Sequence, residues 1–225
     1  MSPFRPPLLL SLCGGYVDAA GYLALHGLFT THVTGNFVTF GASMTHGVSG
    51  GLAKLMALPV FCVMVIGTQV LGDVLERRAL PAFRILVSIK VVLLALGAAL
   101  AIHYGPFVDG DALPALVTGM VLVAAMAMQN ATHRRHLASE PPSTVMTMTT
   151  TQIMLDVATL IQHRTGPKRE AADRRIRRMS PSLIAFALGC LLAAGLFLAL
   201  GMWLFVLPPC LALLAMQGEP APLDA

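Results

Sequence analysis

Between Leu183 and Met216 the chain carries no Asp, Glu, Lys or Arg. That run is too long for a single crossing of a bilayer. A hydrocarbon core about 30 Å thick takes about 20 helical residues, and one helix over this stretch would reach about 51 Å. It must therefore turn back on itself, and it divides best near Gly201 to Trp203 into a fifth and a sixth span. Pro208 and Pro209 are expected to kink the last one, which neighbouring helices can tolerate.

Four further apolar stretches of spanning length precede it. They are Leu8 to Leu28, which contains Asp18; Leu55 to Gly72, followed by Asp73, Glu76, Arg77 and Arg78; Ile85 to Ile102, with Lys90 near one end; and Leu113 to Ala131, closing on Gln129 and Asn130. The whole chain is 56% hydrophobic and 12% charged, whereas an ordinary soluble domain is about a quarter charged. So few charges cannot cover a globular surface in water, and the expected solvent is lipid. Low aromatic content and the absence of clustered aromatics argue against a nucleic-acid partner, and the basic run near residue 170 reads as a cytoplasmic loop instead. Cys13, Cys62, Cys190 and Cys210 stand singly in apolar sequence, which signals neither a zinc site nor a disulfide framework. No cofactor is implied. The N-terminal MSPFRPPLLLSLCGG resembles a secretory signal, but the apolar stretch runs on past Asp18 without a clean cleavage site, so it reads as a retained first span.

Two Thr-rich segments, Thr31 to Thr45 and Thr144 to Ile161, are helical in pattern but short. If neither crosses and the N-terminus is cytoplasmic, all of the 15 lysines and arginines except Lys54 fall on or near the cytoplasmic side. This is the bias expected of an inner-membrane protein with both termini inside. If both crossed, either Arg77 and Arg78 or the run Arg164 to Arg178 would lie outside. The expected fold is therefore an all-α membrane protein with six spans plus two re-entrant or interrupted helices. It is read as one domain over 1–225, with a basic cytoplasmic loop at 163–180 facing anionic lipid headgroups.

The halves, about 8–104 and 113–216, correspond weakly. Asp18-Ala19 aligns with Asn130-Ala131, and Thr34-Gly35-Asn36 with Thr150-Thr151-Gln152. Gly67 and Gly72 align with Gly189 and Gly195. Three crossings per half is an odd number, so the second half would enter upside down, as an inverted repeat.

The stretch GGYVDAAGYLALHGLFTTHVTGNFVTFG resembles the opening signature of the YoaK family of bacterial multi-pass membrane proteins (domain of unknown function 1275). MAMQNATHRR followed by TVMTMTTTQ resembles its second signature, with Thr150-Thr151-Gln152 where a Thr-Gly-Asn would stand. The resemblance implies location and topology and supplies no substrate.

Candidate pathway residues are Asp18, His32, Thr34, Gly35, Asn36, Gln129, Asn130, Thr150, Thr151, Gln152 and Asp156. A carboxylate in mid-span is expensive and often marks an ion or proton path; the plainer alternative is a hydrogen-bond hub between helices. His32 titrates near neutral pH or merely caps. Gly35-Asn36 would break a helix and expose backbone groups to an ion. The threonines can bond back to the preceding turn instead. Asp73 and Arg77 are spaced to pair on one helix face, and Lys90 is read as a snorkelling anchor. Ala185, Gly189 and Ala193 form a small-residue stripe suited to close packing and homo-oligomer formation. These features favour a secondary transporter or channel for a small polar or ionic solute. The alternative is a non-catalytic scaffold; an intramembrane enzyme is disfavoured because the sequence has no HExxH, GxSxG or paired catalytic carboxylates, and no enzymatic activity is expected.

Overall fold

The computed structural model describes residues 6–47, 49–144 and 146–217, and all the regular structure in them is helical. The elements are α1 (Pro6–Ala24), α2 (Gly35–His46), α3 (Gly51–Arg77), α4 (Ala82–Tyr104), α5 (Leu113–His136), α6 (Met146–Gln162) and α7 (Pro167–Leu200). A 3-10 segment (Gly201–Val206) then leads into α8 (Leu207–Met216). Three of the helices, Gly51–Arg77, Ala82–Tyr104 and Leu113–His136, and the continuous stretch Pro167–Met216 are long and apolar enough to cross a membrane.

Side-chain contacts set the directions. On α5, Gly119 lies against Leu25 and Leu28, while Gln129 reaches Leu10. Helices α1 and α5 are thus antiparallel. Chain reversal at Gly201 (φ 55°) sends α8 back along α1, with Tyr16 Oη donating to Leu204 O at 2.7 Å and Cys13 Sγ meeting Pro208 O at 3.9 Å. The expected division of the last apolar run is therefore where the chain turns. Pro208 and Pro209 open α8 rather than kink it, because a proline in the first turn sacrifices no intrahelical hydrogen bond.

Helices α1 and α5 form the centre. Helix α1 packs on α7 and α8, α5 on α3 and α4, and α4 on α8; α2 lies on α3 and α6 on α7. Their apolar faces pack together through residues such as Tyr16, Val17, Leu94, Leu122, Val123, Met126 and Phe205. By contrast, α3 and α7 turn Val63, Ile66, Val70, Leu188, Leu191 and Leu198 outward, the pattern of side chains that meet lipid rather than water. The closest crossing is α1 on α7. A Cβ on Gly15 would stand 2.9 Å from the carbonyl carbon of Phe186, and one on Gly189 would stand 2.8 Å from Tyr16 N. Gly189 and the fully buried Ala193 thus let the two backbones touch.

Two expectations are corrected here. Most of the basic segment 163–180 is not a loop, since helix begins at Pro167. Proline at the first position, Glu170 in the first turn and the i,i+4 pairs Glu170–Arg174 and Asp173–Arg177 all favour helix. Nor does Asp73 pair with the Arg77 side chain. Arg77 Nε donates to the Asp73 carbonyl at 3.2 Å, and the Asp73 carboxylate takes Arg135 at 2.7 Å. A guanidinium arriving from α5 satisfies both Asp73 and Glu76, which Arg77 on their own helix cannot do in one conformation.

Candidate functional site

Both short segments begin with a chain that doubles back into the bundle. After α1 ends at Ala24, residues 25–34 return along it, so that Thr31 Oγ1 donates to Gly14 O at 3.3 Å. Asp18 holds this hairpin. It is 5% exposed. One carboxylate oxygen accepts Thr31 N (2.7 Å) and His32 N (3.3 Å), and the other meets His32 Nδ1 at 2.6 Å. Backbone N–H groups at a chain reversal need an acceptor when removed from water, and a carboxylate is the strongest available. Asn36 performs the companion task, accepting Phe29 N (2.9 Å) and donating to Phe29 O (2.8 Å). Gly35 opens α2 where a Cβ would stand 3.1 Å from the Phe29 ring; its role is space rather than a break. Thr34 is exposed just ahead of it.

The second hairpin mirrors the first. After α5 ends at His136, residues 137–144 climb back along it. Thr144 Oγ1 donates to Asn130 Oδ1, in the place where Asp18 holds Thr31. Gln129 Nε2 donates to Leu10 O (2.9 Å) and Ser143 Oγ (3.1 Å). The two tips converge on Gly14. Its carbonyl accepts Thr31, and a Cβ there would stand 2.9 Å from Ser143 O. Only glycine lets both tips approach the same turn of α1.

Lys90 completes this cross-section. It is 1% exposed, and its Nζ donates to Gln129 Oε1 at 2.5 Å and Cys13 Sγ at 3.5 Å. The snorkelling reading is corrected: the side chain points into the bundle, where Gln129 offers an oxygen, and not toward a surface. Sequence spacing alone could not tell an inward from an outward lysine on α4. A signal for its partner was present, however: Gln129, Thr132, His133 and His136 repeat at helical spacing along one face of α5.

The remaining candidates go elsewhere. Thr150 and Thr151 bond back to Met146 O and Thr147 O (2.8 and 2.9 Å). They line an open groove of about 600 Å³ on α6 with Met146, Thr147, Met154 and Leu155. Gln152 bonds Asp156, and the Arg175 guanidinium holds the Asp156 carboxyl below the usual carboxylate range. Arg175 grips Asp156 at 2.5 Å, Arg178 reaches Glu140 at 3.6 Å, and Arg169 donates to Leu160 O at 2.7 Å. Much of the basic run thus fastens α6 and its approach to α7. The expected single polar set therefore divides into a mid-bundle cluster and an α6–α7 clasp.

A family model described as "Protein of unknown function (DUF1275)" matches residues 7–217. The chain belongs to that family. It is 25% identical over 195 residues to the UPF0700 transmembrane protein YoaK of Bacillus subtilis (strain 168), covering 85% of this chain and 83% of that protein. No solved structure matches. With its apolar spanning helices, this member of a transmembrane family is a membrane protein.

Proposed function

We propose that the protein is a secondary transporter or channel for a small polar or ionic solute, and that its two hairpins are re-entrant segments dipping from opposite membrane faces. The observation that carries the reading is the meeting of both tips at Gly14, beside Asp18 in one half and Gln129–Asn130 in the other. Polar, half-helical segments that meet inside a bundle are where transporters bind solute.

The packing order supports an inverted repeat. Exchanging α1 with α5, α2 with α6, α3 with α7 and α4 with α8 turns each major contact pair into another that exists. Six crossings follow if α1, α3, α4, α5, α7 and the α8 segment each traverse the bilayer. Both termini then lie in the cytoplasm of an inner-membrane protein, with the arginines of α7 beside anionic headgroups. Reading Asp18 as a carrier of the coupling ion has less support than reading it as the holder of its hairpin, since three donors already surround it. That same satisfaction favours the second reading, a non-catalytic scaffold.

The test is flux of a panel of small ions and polar solutes in proteoliposomes, for the wild type and Gly14→Ala. The variant crowds the tips against each other and is expected to lower flux severalfold while inserting normally. A wild type inert to the whole panel would overturn the reading. Equal flux in both would overturn the place assigned to the tips.

A further inference from the structure

Lys90 is a fully buried amine whose partners are a neutral amide and a thiol. An ammonium has three N–H donors, and two acceptors are in place. Among the described residues no carboxylate forms an ion pair with it. Asp18, on the same helix as Cys13, is taken up by Thr31 and His32. A buried charge without a counterion is among the costliest features a bundle can hold.

The comparison of the two tips sharpens the point. In the first, a resident carboxylate, Asp18, accepts the backbone N–H groups of the returning chain. In the second, the corresponding residue is the neutral Asn130, and a lysine stands next to it through Gln129. The second tip holds an amine where the first holds a carboxylate. The N-terminus of α6 follows directly at Met146, adding the positive end of its dipole.

Further polar groups line the same face of α5. From Gln129 toward the end of α5, Thr132 Oγ1 and His136 Nε2 are buried without a hydrogen-bond partner, and the buried ring of His133 lies between them, facing the backbone at Glu140 and Pro141. They follow Gln129 at i+3, i+4 and i+7 on one helix face. Buried polar atoms left unpartnered are rare, and water or a small solute beside them would satisfy them.

We propose that Lys90 is the anion-binding residue of the conduit. A small inorganic anion, of the size of chloride or nitrate, supplies the negative charge missing at the second tip and reaches it along Thr132, His133 and His136. This deepens the transport reading by naming the class of solute, and it rests on that reading.

The test uses the full chain in detergent and in liposomes. Thermal unfolding is followed while sodium gluconate is exchanged for sodium nitrate or chloride at constant ionic strength. Binding to the folded state raises the midpoint with anion concentration. The wild type is expected to show a saturating rise, and Lys90→Gln and Lys90→Met an apparent affinity at least tenfold weaker. A wild type whose midpoint ignores the anion overturns the inference, whether or not the variants fold. Nitrate and potassium flux in the same preparations separates the two claims. Potassium or neutral-solute flux without any anion effect leaves a conduit but removes its anion site. Anion-dependent stability that needs Lys90, with no flux of any solute, leaves the site and overturns the conduit. Saturable nitrate flux lost in both variants supports both.

Discussion

Replacing Gly189 by alanine adds one methyl group at the α1–α7 crossing. The new Cβ would stand 2.8 Å from Tyr16 N and nearer still to Leu12 O. Carbon and its non-bonded neighbours settle at about 3.5–4.0 Å, so the helices must part by close to 1 Å. Neither obstacle can swing away, since both are backbone atoms of α1. Overpacking in a closed site costs about 1–3 kcal/mol, and the absence of any side-chain relief places this substitution near 3 kcal/mol. For a chain of this size, by the rule for soluble domains, that lowers the unfolding midpoint by roughly 6–12 °C. Gly195→Ala is the control: it lies on the same helix and its Cβ meets nothing within 4 Å. It is expected to be neutral or to gain up to about 1 kcal/mol from helix propensity. The assay is thermal unfolding of the two purified variants in one detergent, read by circular dichroism. Indistinguishable midpoints for Gly189→Ala and Gly195→Ala would refute the claim that backbone contact sets the position of α7 on α1.

Asp111, from the α4–α5 connection, accepts the N–H groups of Gly50, Gly51, Leu52 and Ala53 at 2.8–3.3 Å. Asp111→Ala should cost about 2 kcal/mol, the upper range for loss of a helix cap, and Asp111→Asn about half as much, seen as lower unfolding midpoints. Arg135 bridges Glu76 (2.8 and 2.6 Å) and Asp73 (2.7 Å). Arg135→Lys should lose most of that bridge because an ammonium cannot match the fork; a double-mutant cycle with Glu76→Gln is expected to give a coupling of about 1 kcal/mol, screened by salt. The Asp156 carboxyl is held below its ordinary range by Arg175. Its stabilising effect is therefore present above the ordinary carboxylate pKa and is lost as pH falls through the depressed value. Acidification should raise protease cleavage in the link between α6 and α7, and Asp156→Asn should remove that acid dependence.

Several particulars of the fold were legible as linear pattern. Apolar runs nearly free of charge announce lipid-facing helices because no other solvent accepts them, and α3, α4 and α5 appear where those runs lie, up to five residues longer at their ends. The turn at Gly201 follows from length alone. The shortness of α2 and α6 was equally visible. Charge over the basic segment suggests a solvated loop, whereas its acid–base spacing also suits the helix that forms.

The site was legible in its parts but not in its grouping. Asp18, Gln129 and Asn130 stand out as polar residues in apolar sequence. Nothing in linear order says that Asp18 would hold its own hairpin, that Thr150 and Thr151 would turn outward, or that Asp156 would meet Arg175. Lys90 is the clearest instance, since an inward and an outward lysine have the same neighbours in sequence.

The amino-acid order by itself determined the solvent, the helical character and the lengths of the helices, since these depend on local composition and on the thickness of a bilayer. Tertiary structure alone decided which polar groups share a cross-section. That outcome depends on helix direction and rotation, set by close glycine crossings and by which buried donors find acceptors across the bundle.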